Sequence, residues 1–349
     1  DELFHEAHRE AANGILTTSL TGLAGLLFAV FLSDNIGRLR RKRAEAEHGE
    51  QEARAQLAEL GSYELLSPIS VGGMGEVHRA RHRLLAREAA LKLIRAESGD
   101  DDQRIERDRE RFLSEARALA SLRSVHTVRV YDFGIALDGR HFLAMELLDG
   151  VDLHVLVERF GPQPAARTAR ILAQICASLQ EAHAMGMVHR DLKPANAFLC
   201  RQAEWLDLVK VLDFGLTRRS GLAEGAHVSG TPGYMSPEQI LGQPVTALSD
   251  VYGVGYWLLS GRAPHPGESS EQMLADTLRD EPPVLPEAQR ERVPHGLAQL
   301  ITRCMARDPS HRPLSAALLG RALRAQAAAY DDFEQADLLA FWNDLAGRS

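Results

Sequence analysis

The sequence predicts an α+β chain of bilobal form, a small β-rich lobe with one helix followed by a large α-helical lobe, preceded by one transmembrane helix. Three observations carry this. Residues 14–32, GILTTSLTGLAGLLFAVFL, contain no charge in 19 positions, roughly 28 Å at helical rise and close to a bilayer's apolar thickness. Tyr63 to Ile94 reads as three short β-like runs, followed by one helix from about Gln103 to Leu122. Beyond the segment HFLAMELL, helical periodicity dominates to the C-terminus.

The apolar run has no polar stripe, unlike a core helix. Its basic residues follow it rather than precede it, unlike a signal peptide. Asp1, Glu2, Glu6 and Glu10 outnumber Arg9 before the run, and Arg38, Arg40, Arg41, Lys42 and Arg43 follow it. Basic flanks stay on the cytoplasmic side, so the expected topology is single-pass in the cell membrane. An extracytoplasmic stub of 1–13 precedes the span of 14–32, and everything after the span faces the cytoplasm. Gly25 and Ala29, four apart, would let two such spans pack closely as a homodimer. An outward N-terminus with no signal ahead of it leads us to expect an upstream segment carrying a sensor. Residues 33–61 read as a basic juxtamembrane stretch and solvated helical linker, with Gly61 ending it. The tail 329–349 reads as a helical extension in which Phe333, Leu338, Leu339, Phe341 and Trp342 line one side and pack onto the large lobe.

With 45% hydrophobic and 25% charged residues, the 349-residue chain has globular composition. A net charge of −8 argues against nucleic acid as a partner. Cys176, Cys200 and Cys304 lie far apart, without metal-like spacing, and read as buried apolar fillers in a reducing compartment.

The most specific string is His189-Arg190-Asp191-Leu192-Lys193-Pro194-Ala195-Asn196. Asp213-Phe214-Gly215 follows the apolar run VKVL, 22 residues beyond Asp191. An identical triplet, Asp132-Phe133-Gly134, lies upstream of the first string, and its order in the chain rules it out as a metal site. Ser70-Val71-Gly72-Gly73-Met74-Gly75-Glu76-Val77 sits between two β-like runs ahead of Lys92, a lysine on an apolar strand where a buried ammonium needs a reason.

With these strings, residues from Tyr63 to about Ala328 resemble the eukaryotic-type (Hanks-type) protein kinases, and among them the bacterial serine/threonine kinases. The resemblance implies a kinase domain over 62–328, with an N-lobe of 62–147 and a C-lobe of 148–328. It implies ATP and Mg²⁺ (or Mn²⁺ in its place) as cofactors and proteins as substrates. Asp191 would accept the proton of the attacking hydroxyl, Lys193 would neutralise the transferring phosphoryl, and Asn196 and Asp213 would hold the metal. Lys92 would meet the α- and β-phosphates and pair with Glu115 on the following helix. Val71, Gly72, Gly73, Met74 and Gly75 would cover the phosphates. Ser70 in place of the first glycine makes that backbone less free to bend and weakens nucleotide affinity at most. Met145 takes the gatekeeper place, backbone groups of Glu146 and Leu148 would bond the adenine edge, and Val77, Ala90 and Phe198 would enclose the ring.

In the activation segment, Thr231 would bond Asp191 and Lys193, and Glu238 would pair with buried Arg312. Asp250 would brace the catalytic loop. Arg190 usually receives an activation-loop phosphate, yet Arg218 to Gly230 holds no threonine and only the hydroxyls of Ser220 and Ser229. Either Ser229 is the switch or the loop orders without phosphate, and the second is the expectation. The alternative to an active enzyme is a nucleotide-binding pseudokinase acting as a scaffold, which the presence of Lys92, Asp191, Asn196 and Asp213 disfavours.

Overall fold

A computed structural model describes residues 60–347 apart from 61, 73–74, 95–101, 137–138, 203–204, 215–230, 253–255, 268, 280 and 331–334. The expectations for the span 14–32, the linker 33–61, Gly73, Met74, Ser220, Ser229 and Phe333 lie outside the described residues. No described helix is long and apolar enough to cross a membrane.

The small lobe is a five-stranded antiparallel sheet of order β1-β2-β3-β5-β4. Its strands are β1 (Tyr63–Gly72), β2 (Gly75–His82), β3 (Glu88–Ile94), β4 (Val130–Ile135) and β5 (His141–Met145). Alternation of buried and open positions is weak because β3 and β5 are central and covered: Leu91, Leu93, Leu143 and Ala144 are all buried. Helix α1 (Asp102–Ser121) lays Phe112, Ala116 and Leu119, at spacings of four and three, onto this core. Gly75 opens β2 with φ +145, and a Cβ there would meet the Leu93 carbonyl, so glycine alone permits the close approach to β3. The Asp132-Phe133-Gly134 triplet lies inside β4.

The large lobe begins with a second sheet, β6 (Gly150–Asp152), β7 (Ala197–Gln202) and β8 (Trp205–Val211), ordered β6-β7-β8. These strands interrupt the helical run expected from the sequence. The long helices are α2 (Leu153–Phe160), α3 (Ala165–Ala184), α9 (His295–Cys304), α10 (Ala316–Ala329) and α11 (Gln335–Gly347). Between them lie the short α4 (Pro237–Ile240), α5 (Ala247–Val251), α6 (Tyr256–Ser260) and α8 (Glu287–Arg290), and α7 (Ser270–Thr277), equal in length to α2. Asp152 starts α2 by accepting a hydrogen bond from the Val155 N–H, and Ser315 starts α10 through the Leu318 N–H.

Helix α3 is the spine of this lobe, with Ile171, Leu172, Ile175 and Leu179 buried. Its close packing against α10 depends on Gly320, where a Cβ would sit 3.1 Å from that of Cys176. All three cysteines are buried. Burial pushes their thiols up, to about 11 for Cys200 and about 12 for Cys304, so they serve as fillers rather than nucleophiles.

Helix α11 docks where β8 begins. Trp342 Nε1 donates to Asp207 Oδ1 at 3.1 Å, and Arg167 from α3 grips the same carboxylate twice, at 2.7 and 2.9 Å. The Arg167 guanidinium also lies 4.1 Å from the centre of the Phe341 ring. All four residues are buried, so the tail completes the polar satisfaction of Asp207 while covering apolar surface.

Candidate active site

The loop from His189 to Asn196 is held by a buried frame. Asp250, from α5, accepts the backbone N–H groups of His189 and Arg190 and the Nε2–H of His183, each at 2.8 Å. His189 donates from Nε2 to the Leu212 carbonyl at 2.8 Å and accepts the Asp191 N–H on Nδ1, so the loop and the chain entering Asp213 are tied through one ring. The Phe214 ring lies 4.7 Å from that ring. Arg190 (φ 70) and Asp213 (φ 56) occupy the left-handed region without being glycine, backbone strain that tends to collect at functional sites.

Within this frame Asp191 meets three donors. Its carboxylate lies 2.9 Å from Lys193 Nζ, 3.2 Å from Asn196 Nδ2 and 3.2 Å from Thr231 Oγ1. Lys193 also donates to Thr231 at 2.7 Å. Asn196 spends its amide hydrogens on Asp191, one bond going to the backbone carbonyl at 2.8 Å. Its Oδ1 is thereby turned away from Asp191. Asn196 also accepts the Leu212 N–H on its backbone carbonyl, which brings it beside the chain leading to Asp213.

Lys92, on β3, is buried and pairs across the cleft with Asp213 Oδ1 at 2.7 Å. Lys92 and Asp213 thus pair across the cleft, and the mutually bonded Asp191, Lys193 and Asn196 are tied to them through the Leu212 backbone next to Asp213. The expected Lys92–Glu115 pair is not what forms. Glu115 accepts from Arg111 Nε at 3.0 Å, one turn back on α1, and that pair is largely solvent-facing. The reason is local: Arg111 stands at the favoured i,i+4 spacing, whereas reaching Lys92 depends on how far α1 sits from the sheet.

Around the neighbouring apolar space, Met145 ends β5 opposite Ala90 of β3, and Val77 of β2 stands opposite Lys92. Phe198, on β7, is half-buried, and its strand partner is Lys210. Val71 is exposed at the end of β1, and Gly72 pairs with Gly75 across the hairpin.

Below the cleft, Glu238 and Arg312 make a bidentate pair at 2.7 and 2.8 Å, with Arg312 buried. Burial pushes the Glu238 carboxyl up, but hydrogen bonds from Arg312 and Ser249 and the Arg312 charge hold it below the usual carboxylate range. Gln239 joins this region to the loop, donating to the Arg190 carbonyl at 2.6 Å.

Sequence reasoning missed His183, Gln239 and above all Lys210, which is buried on β8 and pairs with Glu146 at 2.7 Å. A signal for it existed: like Lys92, it is a lysine within an apolar strand, here VKVL.

A magnesium ion suits the chemistry of this donor set. Asn196 Oδ1 and the Asp213 carboxylate are hard oxygens, and magnesium is typically held by one or two such groups plus substrate phosphates. No cluster of three or more His, Cys, Asp or Glu side chains that would form an all-protein cage occurs among the described residues.

Residues 63–322 match the protein kinase domain, and the chain belongs to that family. Within the family it groups with the bacterial Hanks-type kinases. The chain is 37% identical over 282 residues to the serine/threonine-protein kinase pkn3 of Myxococcus xanthus, covering 77% of this chain and 50% of that one. It is 35% identical over 265 residues to the serine/threonine-protein kinase PknD of Mycobacterium tuberculosis, covering 74% and 39% respectively. The chain therefore spans half or less of the length of these curated relatives. A similar solved structure is that of Rad53 1-466 in complex with AMP-PNP, with a TM-score of 0.60 and 25% identity, covering 74% of this chain and 64% of that one.

Proposed function

We propose that this chain transfers the γ-phosphoryl of ATP to serine and threonine hydroxyls of proteins, from the cytoplasmic face of a membrane. The observation that carries the reading is the Asp191 carboxylate, fixed by Lys193, Asn196 and Thr231 and linked through Asn196 to the chain entering Asp213. A carboxylate so held faces the acceptor hydroxyl in one orientation, and orientation is most of what phosphoryl transfer asks of the protein.

In the proposed reaction the acceptor oxygen forms a bond to the γ-phosphorus as the bond to the β–γ bridging oxygen breaks. The hydroxyl proton passes to Asp191, and ADP leaves. Lys193 places positive charge beside the transferring group, and Lys92 does so for the α- and β-phosphates. Asn196 and Asp213 would hold the magnesium ion, which when bound neutralises charge on the phosphate oxygens. The backbone of 146–148 would read the adenine edge, with Val77, Ala90, Met145 and Phe198 around the ring.

The uncharged run 14–32 and the basic cluster 38–43 support a single membrane span with the catalytic domain inside, and the Gly25/Ala29 pair supports association of two spans. Membrane fractionation with a protease-protection assay tests the topology: digestion of the kinase domain in sealed right-side-out vesicles would refute it.

The activity is tested by incubating the chain with Mg²⁺, γ-labelled ATP and a generic protein substrate, followed by phosphoamino-acid analysis. Label on phosphoserine or phosphothreonine is expected. Nucleotide binding without any label on protein would establish the scaffold reading instead.

A further inference from the structure

We infer that Lys210 is a positioning residue of the nucleotide site that, through Glu146, sets the preference for adenine over guanine nucleotides; the inference rests on the reading of 146–148 as the base-binding hinge.

Lys210 sits in the interior of β8, flanked by the buried Val209 and Val211, and is itself buried. An ammonium there is costly unless it is paired and hydrogen-bonded. Its partner is the Glu146 carboxylate at 2.7 Å, which is also largely shielded from solvent. The same oxygen, Glu146 Oε1, accepts the Arg129 N–H at 2.8 Å. In return the Glu146 N–H donates to the Arg129 carbonyl at 2.9 Å. Glu146 is thus stitched in both directions to the chain entering β4, and its carboxylate is fastened to β8 by the lysine. Few of its torsions remain free.

The consequence concerns the backbone carbonyl of Glu146, which none of these bonds uses. A carbonyl fixed at the edge of the base site accepts a hydrogen bond from the exocyclic amino group of adenine. Guanine presents a carbonyl oxygen at that position, and two acceptors repel. Discrimination of this kind requires that the peptide not rotate to present a donor instead. Lys210 supplies that constraint from beneath the site, since its strand partner Phe198 is the residue placed under the ring. Nothing in this role involves the reacting phosphate, which is approached by Lys92 and Asp191 from elsewhere in the cleft.

The test uses the full chain with Lys210→Met and with the double variant Glu146→Met/Lys210→Met, measuring KM and kcat for ATP and GTP alongside thermal unfolding. In Lys210→Met the KM for ATP should rise about tenfold, the loss of roughly one well-made hydrogen bond. The KM for GTP should change less than about twofold, and so should kcat, so that the preference for ATP over GTP falls about tenfold. The single variant also leaves the Glu146 carboxylate buried and unpaired and should melt lower. Removing both charges should restore most of the melting temperature while the KM for ATP stays raised. A double variant whose ATP KM and ATP/GTP preference both return to within twofold of wild type would overturn the inference, because the pair would then be merely structural. Failure of both variants to fold would also overturn it, making the pair a folding requirement. If the wild-type chain binds ADP but transfers no phosphate, the proposed activity falls. The inference is then judged by ADP and GDP affinities measured calorimetrically, and equal ADP-over-GDP preference in wild type and the double variant would refute it.

Discussion

The loop around Asp191 and the strand carrying Lys92 face each other across one cleft, yet they are anchored in different ways. Asp191, Lys193, Asn196 and Thr231 bond one another, and the loop that carries the first three is held by the buried Asp250 carboxylate, by Leu212 and by Gln239. Every one of these contacts lies within the large lobe. Lys92 has no comparable shell among the described residues. Its ion pair reaches across to Asp213, while Glu115 turns to Arg111 on an exposed helical face. The difference shows that geometry fixed inside one packed lobe is over-determined, whereas a pair that depends on where a helix lies against a sheet is set by weak terms.

The contrast can be broken or sharpened by substitution. The largest stability effect should come from beneath the loop. Arg312→Met leaves Glu238 buried without its partner and should cost about 3–5 kcal/mol in denaturant unfolding. The pair also sets an acid limit. Because the Glu238 carboxyl is held below its ordinary range, its contribution is complete above that range and drains away as pH falls through the lowered value. Wild type should therefore lose more stability on acidification than Arg312→Met/Glu238→Leu, as thermal melts at descending pH would reveal. Equal slopes would mean that the pair is not what holds the lobe's base together.

Next in size is the tail. Trp342→Ala removes a buried ring and one of the three bonds to the Asp207 carboxylate, and should cost about 3 kcal/mol. Since β8 runs from beside Asp207 towards Asp213, hydrogen exchange along β8 should quicken in the same variant. A tail that merely decorated the surface would leave both unchanged.

The smallest expected effect is at Glu115. Glu115→Gln removes only an exposed i,i+4 pair and should alter stability by no more than about 0.5 kcal/mol. Phosphotransfer measured in the same variant sharpens the comparison: a drop beyond about fivefold at unchanged stability, more than a lost surface pair could cause, would show that α1 moves Glu115 to Lys92 during turnover.

Legibility in the sequence follows the same division. The string 189–196 is contiguous, so residue types in order were enough to place it, although Asp250, Leu212, Thr231 and Gln239, which hold it, come from 16 or more residues away in the chain. Three strands and one helix between Tyr63 and Ser121 were also readable, because turns and periodicity are local signals. The apolar run VKVL at the end of β8 also reads as a strand running into Asp213, but β6 and β7 were not legible. They are short and buried, and apolar runs such as AFLC carry no alternation that distinguishes strand from helix. The Glu238–Arg312 pair, 74 residues apart, was legible only through family resemblance. The partner of Glu115 was misjudged because the competing Arg111 lies next to it in helical space, and sequence spacing cannot weigh an exposed local pair against a distant buried one. Lys210 was overlooked although the argument that singled out Lys92 applies to it unchanged.

The central claim is that the constellation around Asp191 performs phosphoryl transfer rather than merely binding nucleotide. Asp191→Asn keeps the shape of the side chain and removes the proton acceptor, and the direct measurement is the rate of label transfer from γ-labelled ATP beside ADP affinity in the same preparation. Transfer should fall by about 10²- to 10⁴-fold with ADP affinity retained. A variant that still transfers within tenfold of wild type would contradict the assignment.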